Sequence, residues 1–342
     1  MKRFIAMLLA AVLAAGLLCA QAEEIIGCDT VKHGCAGIPI TWTIKDGSDA
    51  AFEVYAEGVE TPVYTQDDTN SLVYTPEKPG VYTAKAVLAD GTEMTSEPVK
   101  VNEYLVFGTY EQDGKLGERE ELEWKLLAVE DGKAFVVTKD IIHNDSYFNP
   151  WWIKYKYTYW ACSYIGDFAV NYRGSQPEAP ERRVTGITAE NVPLNEGKRG
   201  KEEDLYRSEL HARYWCNDMF YWYAFTDEER EQILLTHNEN HDNPEFNVKG
   251  GPDTDDYVFL LSYEEVMKYM PENKDRMCSQ TAYAKKENKK NDISYWWLRT
   301  PGKYRVNAMY ATGKKGGLST YGSDVGHDNL GYRPAMWITI GG

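Results

Sequence analysis

From Ile38 to Val101 the chain runs in short segments that alternate apolar and polar residues: Ile40 to Ile44, Ala51 to Tyr55, Leu72 to Tyr74, Val81 to Leu88 and Val99 to Val101. Lys45-Asp46-Gly47, Pro79-Gly80 and Asp90-Gly91 break the runs. A period of two sends successive side chains to opposite faces of a strand, and turn residues at regular intervals fold such strands back on themselves. This stretch, residues 23-103 as a unit, therefore predicts a small all-β sandwich.

A second pattern begins at Tyr104. Tyr104 to Gly108, Trp124 to Val129 and Ala134 to Thr138 form apolar runs joined by polar turns, among them Asp131-Gly132, and predict a β-meander. Residues 149 to 205 change character, from an aromatic cluster (Trp151, Trp152, Tyr155, Tyr157, Tyr159, Trp160) to a charged stretch ending at Asp204, and read as an insertion. Ser208 to Phe225 then carries Leu210, Tyr214, Trp215, Phe220 and Tyr221 at helical spacing. Thr226 with Glu229 makes a capping box for a second helix through Leu235, and Ser262 with Glu265 makes another for a helix to Met270. Tyr257 to Leu261 reads as a buried strand, and Asn307 to Thr312, Gly317 to Tyr321 and Tyr332 to Ile340 as short ones. Two or three helices with an irregular antiparallel sheet make residues 104-342 an α+β unit.

Blocks within this unit resemble a bacterial family. Trp124-Lys125-Leu126-Leu127, Trp215-Cys216-Asn217-Asp218-Met219-Phe220-Tyr221, Ala224 to Glu229, Val258 to Glu265, Trp297-Leu298-Arg299-Thr300-Pro301-Gly302 and Gly331 to Ile338 occur in the order of an uncharacterised domain abundant in Gram-positive gut bacteria, with a "WLRSPG…GVRPALWI" signature. The chain departs from it at Cys216, where Leu is usual, at Thr300, where Ser is usual, and by the long insertion. More remotely the Trp strand, the Arg/Pro turns and the terminal Gly-x-Arg-Pro-Ala strand resemble the C-type-lectin-like fold of formylglycine-generating enzymes and phage receptor-binding tips. That likeness implies a scaffold for variable loops and no particular function. Tyr74 to Ala84 resembles the late strands of bacterial immunoglobulin-like and PKD-type modules, which implies a spacer or adhesive role for the first unit.

The first 22 residues hold Lys2 and Arg3, an apolar run from Phe4 to Leu18, and Ala20-Gln21-Ala22, the pattern of a signal peptide cut before Glu23. Cys19 offers a lipoprotein alternative, which Leu18 disfavours. No later run reaches the length of a membrane span. The whole chain carries a formal charge of −16, and loss of the leader makes it −18. Nucleic-acid binding draws on Lys and Arg neutralising phosphates, so this composition excludes nucleic acid as a partner class. Lys285, Lys286, Lys289 and Lys290 read as a solvated loop. Six cysteines are too few for a disulfide scaffold. Cys28 and Cys35 could bridge a short turn, Cys216 reads as a buried hydrophobe, and no spacing suggests a metal pair.

The chemistry-bearing candidates are few. Arg299 and Arg333 each stand ahead of a proline, and with Trp297, Pro301, Pro334 and Trp337 they read as frame residues locking turns. His237 and His241 lack the order of zinc hydrolases and fall in an Asn-rich loop. Asp253, Asp255 and Asp256 could hold calcium but lack an EF-hand pattern, so a solvated turn is the reading and no cofactor is implied. The stretch from Lys303 to Asp328 alternates Tyr304, Arg305, Tyr310, Tyr321, Asp324, His327 and Asp328 with glycines. Tyrosine offers rigid contact area at little entropic cost, so this tract, with Trp151 and Trp152, is the candidate ligand-binding face. The sequence thus reads as an exported or cell-surface protein that recognises a glycan or protein. The rival readings are an extracytoplasmic enzyme, hydrolase or formylglycine-oxidase-like, and a structural envelope component. An enzyme would need a cleft where His237, His241 or Cys278 meets a carboxylate.

Overall fold

The computed structural model describes residues 25–27, 34–114, 119–145, 147, 158–161, 168–171, 212–251, 253–287, 294–304, 307–327 and 329–340. The expected leader, Cys28, Trp151, Trp152, Arg305, Asp328 and most of the expected insertion lie outside them. The chain forms two compact units, one ending at Glu103 and one running from Tyr104 to Ile340.

The first unit is all β, with strands β1 (Ile25–Gly27), β2 (Ile40–Ile44), β3 (Ala50–Ala56), β4 (Tyr64–Thr69), β5 (Ser71–Tyr74), β6 (Gly80–Leu88), β7 (Glu93–Thr95) and β8 (Val99–Val101). One sheet runs β1-β2-β5 and the other β4-β3-β6-β7, with β8 also on β6. Alternation puts Ile40, Trp42, Ile44 and Leu72 of one sheet and Phe52, Val54, Ala84 and Ala86 of the other into a single core. Strand β4 escapes a reading by alternation because its side chains are exposed or half-exposed. It forms by backbone pairing with β3, with Tyr64 meeting Tyr74 of β5 at 5.5 Å, and Asp67 and Asp68 charge this edge of the sheet.

The second unit contains β9 (Leu105–Tyr110), β10 (Glu120–Glu130), β11 (Lys133–Thr138), β12 (His143–Asn144), β13 (Thr158–Ala161), β14 (Phe168–Asn171), β15 (Thr236–Asn238), β16 (Thr254–Asp256), β17 (Phe259–Leu260), β18 (Tyr295–Pro301), β19 (Asn307–Thr312), β20 (Leu318–Asp324), β21 (Gly331–Tyr332) and β22 (Pro334–Thr339). They make two five-stranded sheets, β17-β22-β11-β10-β9 and β12-β21-β18-β19-β20, and two ribbons, β13-β14 and β15-β16. Short helices cover Ala212–Tyr214, Tyr221–Ala224, Asp227–Gln232, Tyr263–Tyr269, Asn273–Arg276 and Ala282–Glu287, with a π-helical stretch at Trp215–Phe220. Both capping boxes form: Thr226 with Glu229, and Ser262 with Glu265, each exchange side-chain and backbone hydrogen bonds.

Buried arginines hold this unit together. Arg333 lies where the chain passes from β21 in one sheet to β22 in the other. Its guanidinium donates to the carbonyls of Thr138 (2.7 Å) and Lys139 (3.1 Å) and lies over the Trp296 ring. Arg299 donates to Leu260 O at 2.9 Å and grips the Glu265 carboxylate with both terminal nitrogens. Arg276 donates to the carbonyls of Gly316 (2.5 Å) and Pro271 (2.9 Å). A planar fork of donors satisfies several carbonyls at once, which a lysine cannot do.

Several expectations change. Arg299 sits within β18 and not in a turn. The helix begun at Thr226 stops at Gln232 because Ile233 bridges to Ile338 and Leu234 N–H donates to Trp337 O. His237 is in a strand, since β15 pairs with β16 directly across from Asp255. Asp256 is no solvated turn residue: it is buried and paired with Arg213 at 2.7 Å. Lys285 and Lys286 belong to the helix Ala282–Glu287. The expected strand Tyr257 to Leu261 shortens to β17, with Tyr257 exposed. The run Tyr332 to Ile340 is split at Arg333 between two sheets.

Candidate functional site

Three segments converge at one end of the β18-β19-β20 ribbon: the end of β18 with Gly302 to Tyr304, the middle of β20, and the loop Asn243 to Val248. Asn243 joins them. Its buried side-chain amide donates to Pro301 O at 2.8 Å and Thr320 O at 2.9 Å. Its side-chain oxygen accepts the N–H groups of Glu245 and Phe246, both at 2.9 Å, in an Asx turn ahead of Phe246. All four contacts run through one residue.

Two glycines let the strands approach. A Cβ on Gly302 would stand 2.6 Å from Tyr321 O, and one on Gly322 2.5 Å from Ala308 O. Gly322 also has φ of +76°, where a side chain is strained. With the backbones this close, Lys303 N–H donates to Tyr321 O at 2.9 Å and Gly302 N–H to Asn307 O at 2.7 Å.

The result is an exposed aromatic corner. The Tyr304 and Tyr321 rings stand at 88° with centroids 5.8 Å apart, and Phe246 meets Tyr321 at 80° and 6.1 Å. About half of each tyrosine remains open to solvent, 51% for Tyr304 and 48% for Tyr321. The Tyr321 hydroxyl donates to that of Tyr304 at 3.4 Å. That bond, with the positive charge of Lys303 after it, holds the Tyr304 phenol below the ordinary tyrosine range. The Lys303 ammonium lies 4.6 Å from the Tyr321 centroid, 5.3 Å from that of Tyr304 and 5.4 Å from that of Phe246.

The structure brings together only part of the face expected from sequence. Tyr304 and Tyr321 meet. Tyr310 instead stacks on Tyr295 across β18 and β19, at 5.1 Å. Asp324 closes the turn after β20, accepting from Gly326 N–H at 2.9 Å, and His327 contacts Ser323 at 2.8 Å. Lys303, Phe246 and Asn243 complete the corner, although the sequence marks Lys303 only as the start of the Tyr/Gly tract and Asn243 only as part of a loop. Asn243-Pro244 is a turn-forming pair, which marks the loop but not the segments it joins.

Among the frame residues, Trp297 is fully buried and its indole donates to Asp145 O at 3.1 Å. Pro301 offers its carbonyl to Asn243, and Pro334 opens β22 beside Leu260. Trp337 stacks on Phe135, centroids 4.7 Å apart, yet is only half-buried. It lines a surface groove of about 250 Å³ with Glu130, Asp131, Lys133, Leu234, Leu235 and Thr236.

His237 contacts Asp255 at 2.8 Å on the exposed face of the β15-β16 ribbon, and His241 contacts Glu239 at 3.2 Å. The Asp255 hydrogen bond raises the His237 pKa. Strand periodicity separates the acidic trio: Asp253 and Asp255 flank His237, while Asp256 turns inward to Arg213. Cys278 is half-buried, and desolvation raises its thiol pKa. Cys216 is wholly buried, with the same consequence. Cys35 is a free, buried thiol pushed up to about 12 by burial. Among the described residues no three His, Cys, Asp or Glu side chains converge as a metal site would require, and no helix is long and apolar enough to cross a membrane.

The second unit is therefore an α+β unit whose short helices and two sheets carry an exposed aromatic corner. Residues 184–340, which contain that corner and both tryptophan-arginine boxes, match the family model described as Domain of unknown function (DUF6273). The match starts inside the expected insertion, so the Trp124 block lies outside it. No curated protein and no solved structure matches the chain.

Proposed function

We propose that this chain is an exported, cell-surface or secreted binding protein that recognises a glycan or a protein through the Tyr304-Tyr321-Phe246 corner. In this reading the first unit is an immunoglobulin-like spacer and the second a C-type-lectin-like scaffold. The observation that carries the proposal is that two half-exposed tyrosines, Tyr321 on β20 and Tyr304 in the turn that follows β18, are fixed at right angles, with Asn243 bracing the adjoining loop. Exposed rings on a rigid support give contact area without the entropy loss of ordering flexible side chains on binding. The negative charge of the chain favours neutral or cationic partners over polyanions.

The test is a glycan and host-protein array probed with the chain lacking residues 1–22, with and without calcium. Retention should be lost when Tyr304 and Tyr321 are both changed to Ala, with the melting temperature nearly unchanged. A large fall in melting temperature would assign the pair to the core. Unchanged retention would place recognition elsewhere.

A further inference from the structure

The aromatic corner has an occupant already, and the occupant is a cation from the same chain. Three rings from three segments surround the Lys303 ammonium at 4.6, 5.3 and 5.4 Å, all inside the range of cation–π attraction. Tyr321 forms the back wall, with Tyr304 and Phe246 nearly perpendicular to it. Walls at right angles enclose a rounded cation better than a flat sugar face, which stacks on one ring at a time.

We infer that this corner is a cage for a methylated ammonium group, held by Lys303 until a ligand displaces it. The inference rests on the binding role proposed above and names its ligand chemistry. A primary ammonium is strongly hydrated and gives up water reluctantly to lie among rings. A trimethylated ammonium spreads its charge over methyl groups that water solvates poorly, so the same rings favour it. Lys303 sits on a turn with a four-carbon stem, so its head can swing out to solvent without moving the backbone. Net negative charge over the whole chain adds a long-range attraction for cations.

The test is an NMR titration of the chain lacking residues 1–22 with choline and with 3,3-dimethylbutan-1-ol, which has the same shape and no charge. Choline should shift the ring resonances of Tyr304 and Tyr321 saturably, and the neutral alcohol should bind about tenfold more weakly. Lys303→Ala should tighten choline binding several-fold because the internal competitor is gone. Tyr321→Phe should retain binding and Tyr321→Leu should abolish it, the first variant serving as the control for folding. Equal binding of the alcohol, or no saturable shift with a folded Lys303→Ala chain, overturns the cage. If the array retains a ligand while choline fails, the cage falls and the binding role stands. If choline binds through the cage but Tyr304→Ala/Tyr321→Ala leaves array retention unchanged, the cage stands and the proposed recognition face falls.

Discussion

Arg299 grips Glu265 with both terminal nitrogens, at 2.5 and 2.9 Å, from within a strand to the first turn of a helix. The arginine side chain is 3% exposed and the glutamate 22%, so the pair is largely removed from water. Glu265 also accepts from Ser262 N–H at 2.8 Å in the capping box. One carboxylate thus serves the helix start and a buried charge together.

Glu265→Ala should therefore destabilise the second unit by on the order of 3 kcal/mol, because it strands a buried guanidinium. Chemical denaturation followed by tryptophan fluorescence measures this. A loss below about 1 kcal/mol would mean that water reaches Arg299 in the variant and that the pair holds little of the frame.

Asn243→Ala removes the side chain that bonds Pro301, Thr320, Glu245 and Phe246. Amide exchange at Glu245 and Phe246 should quicken, with a stability loss of about 1–3 kcal/mol. Asn243→Asp should be no milder, since a carboxylate cannot donate to the two carbonyls. Unchanged exchange in both variants would show that the loop is held by other contacts.

Gly322→Ala sets a methyl against Ala308 O and places alanine at φ of +76°. A cost of roughly 1–3 kcal/mol is expected, with displaced β19 and β20 resonances. Wild-type spectra from this variant would mean that β19 and β20 leave room for a methyl group at this position.

The Tyr304 phenol should ionise at lower pH than an ordinary tyrosine, first because Tyr321 donates to it and then because Lys303 is close. Ultraviolet difference titration should show this early phenolate. Tyr321→Phe should move it upward more than Lys303→Ala does, and no change in either variant would refute the assignment.

His237 should remain protonated above its ordinary pKa of 6.5, the largest cause being its bond to Asp255. Because the folded value is raised, the stabilisation is full below 6.5 and is lost as pH climbs through the folded value. An imidazole NMR titration should show the raised midpoint, and Asp255→Asn should lower it. Equal midpoints would mean that the pair does not form in solution.

Most strands of the first unit and two helix starts of the second were legible in the chain itself. Alternation marked β2, β3, β6 and β8, and the Thr226/Glu229 and Ser262/Glu265 boxes marked two helix starts, because these signals lie within a few residues of each other. Strand β4 has no apolar period to read, and β15 became a strand only through its partner β16. Long-range pairing set which tyrosines meet: Tyr304 with Tyr321, and Tyr310 stacked on Tyr295. It also decided that Phe246 would join them from a distant loop, through the bonds of Asn243. Composition marks which residues are capable of contact, but strand register and loop closure choose which rings share a corner, and those are set by pairing between segments far apart in the chain.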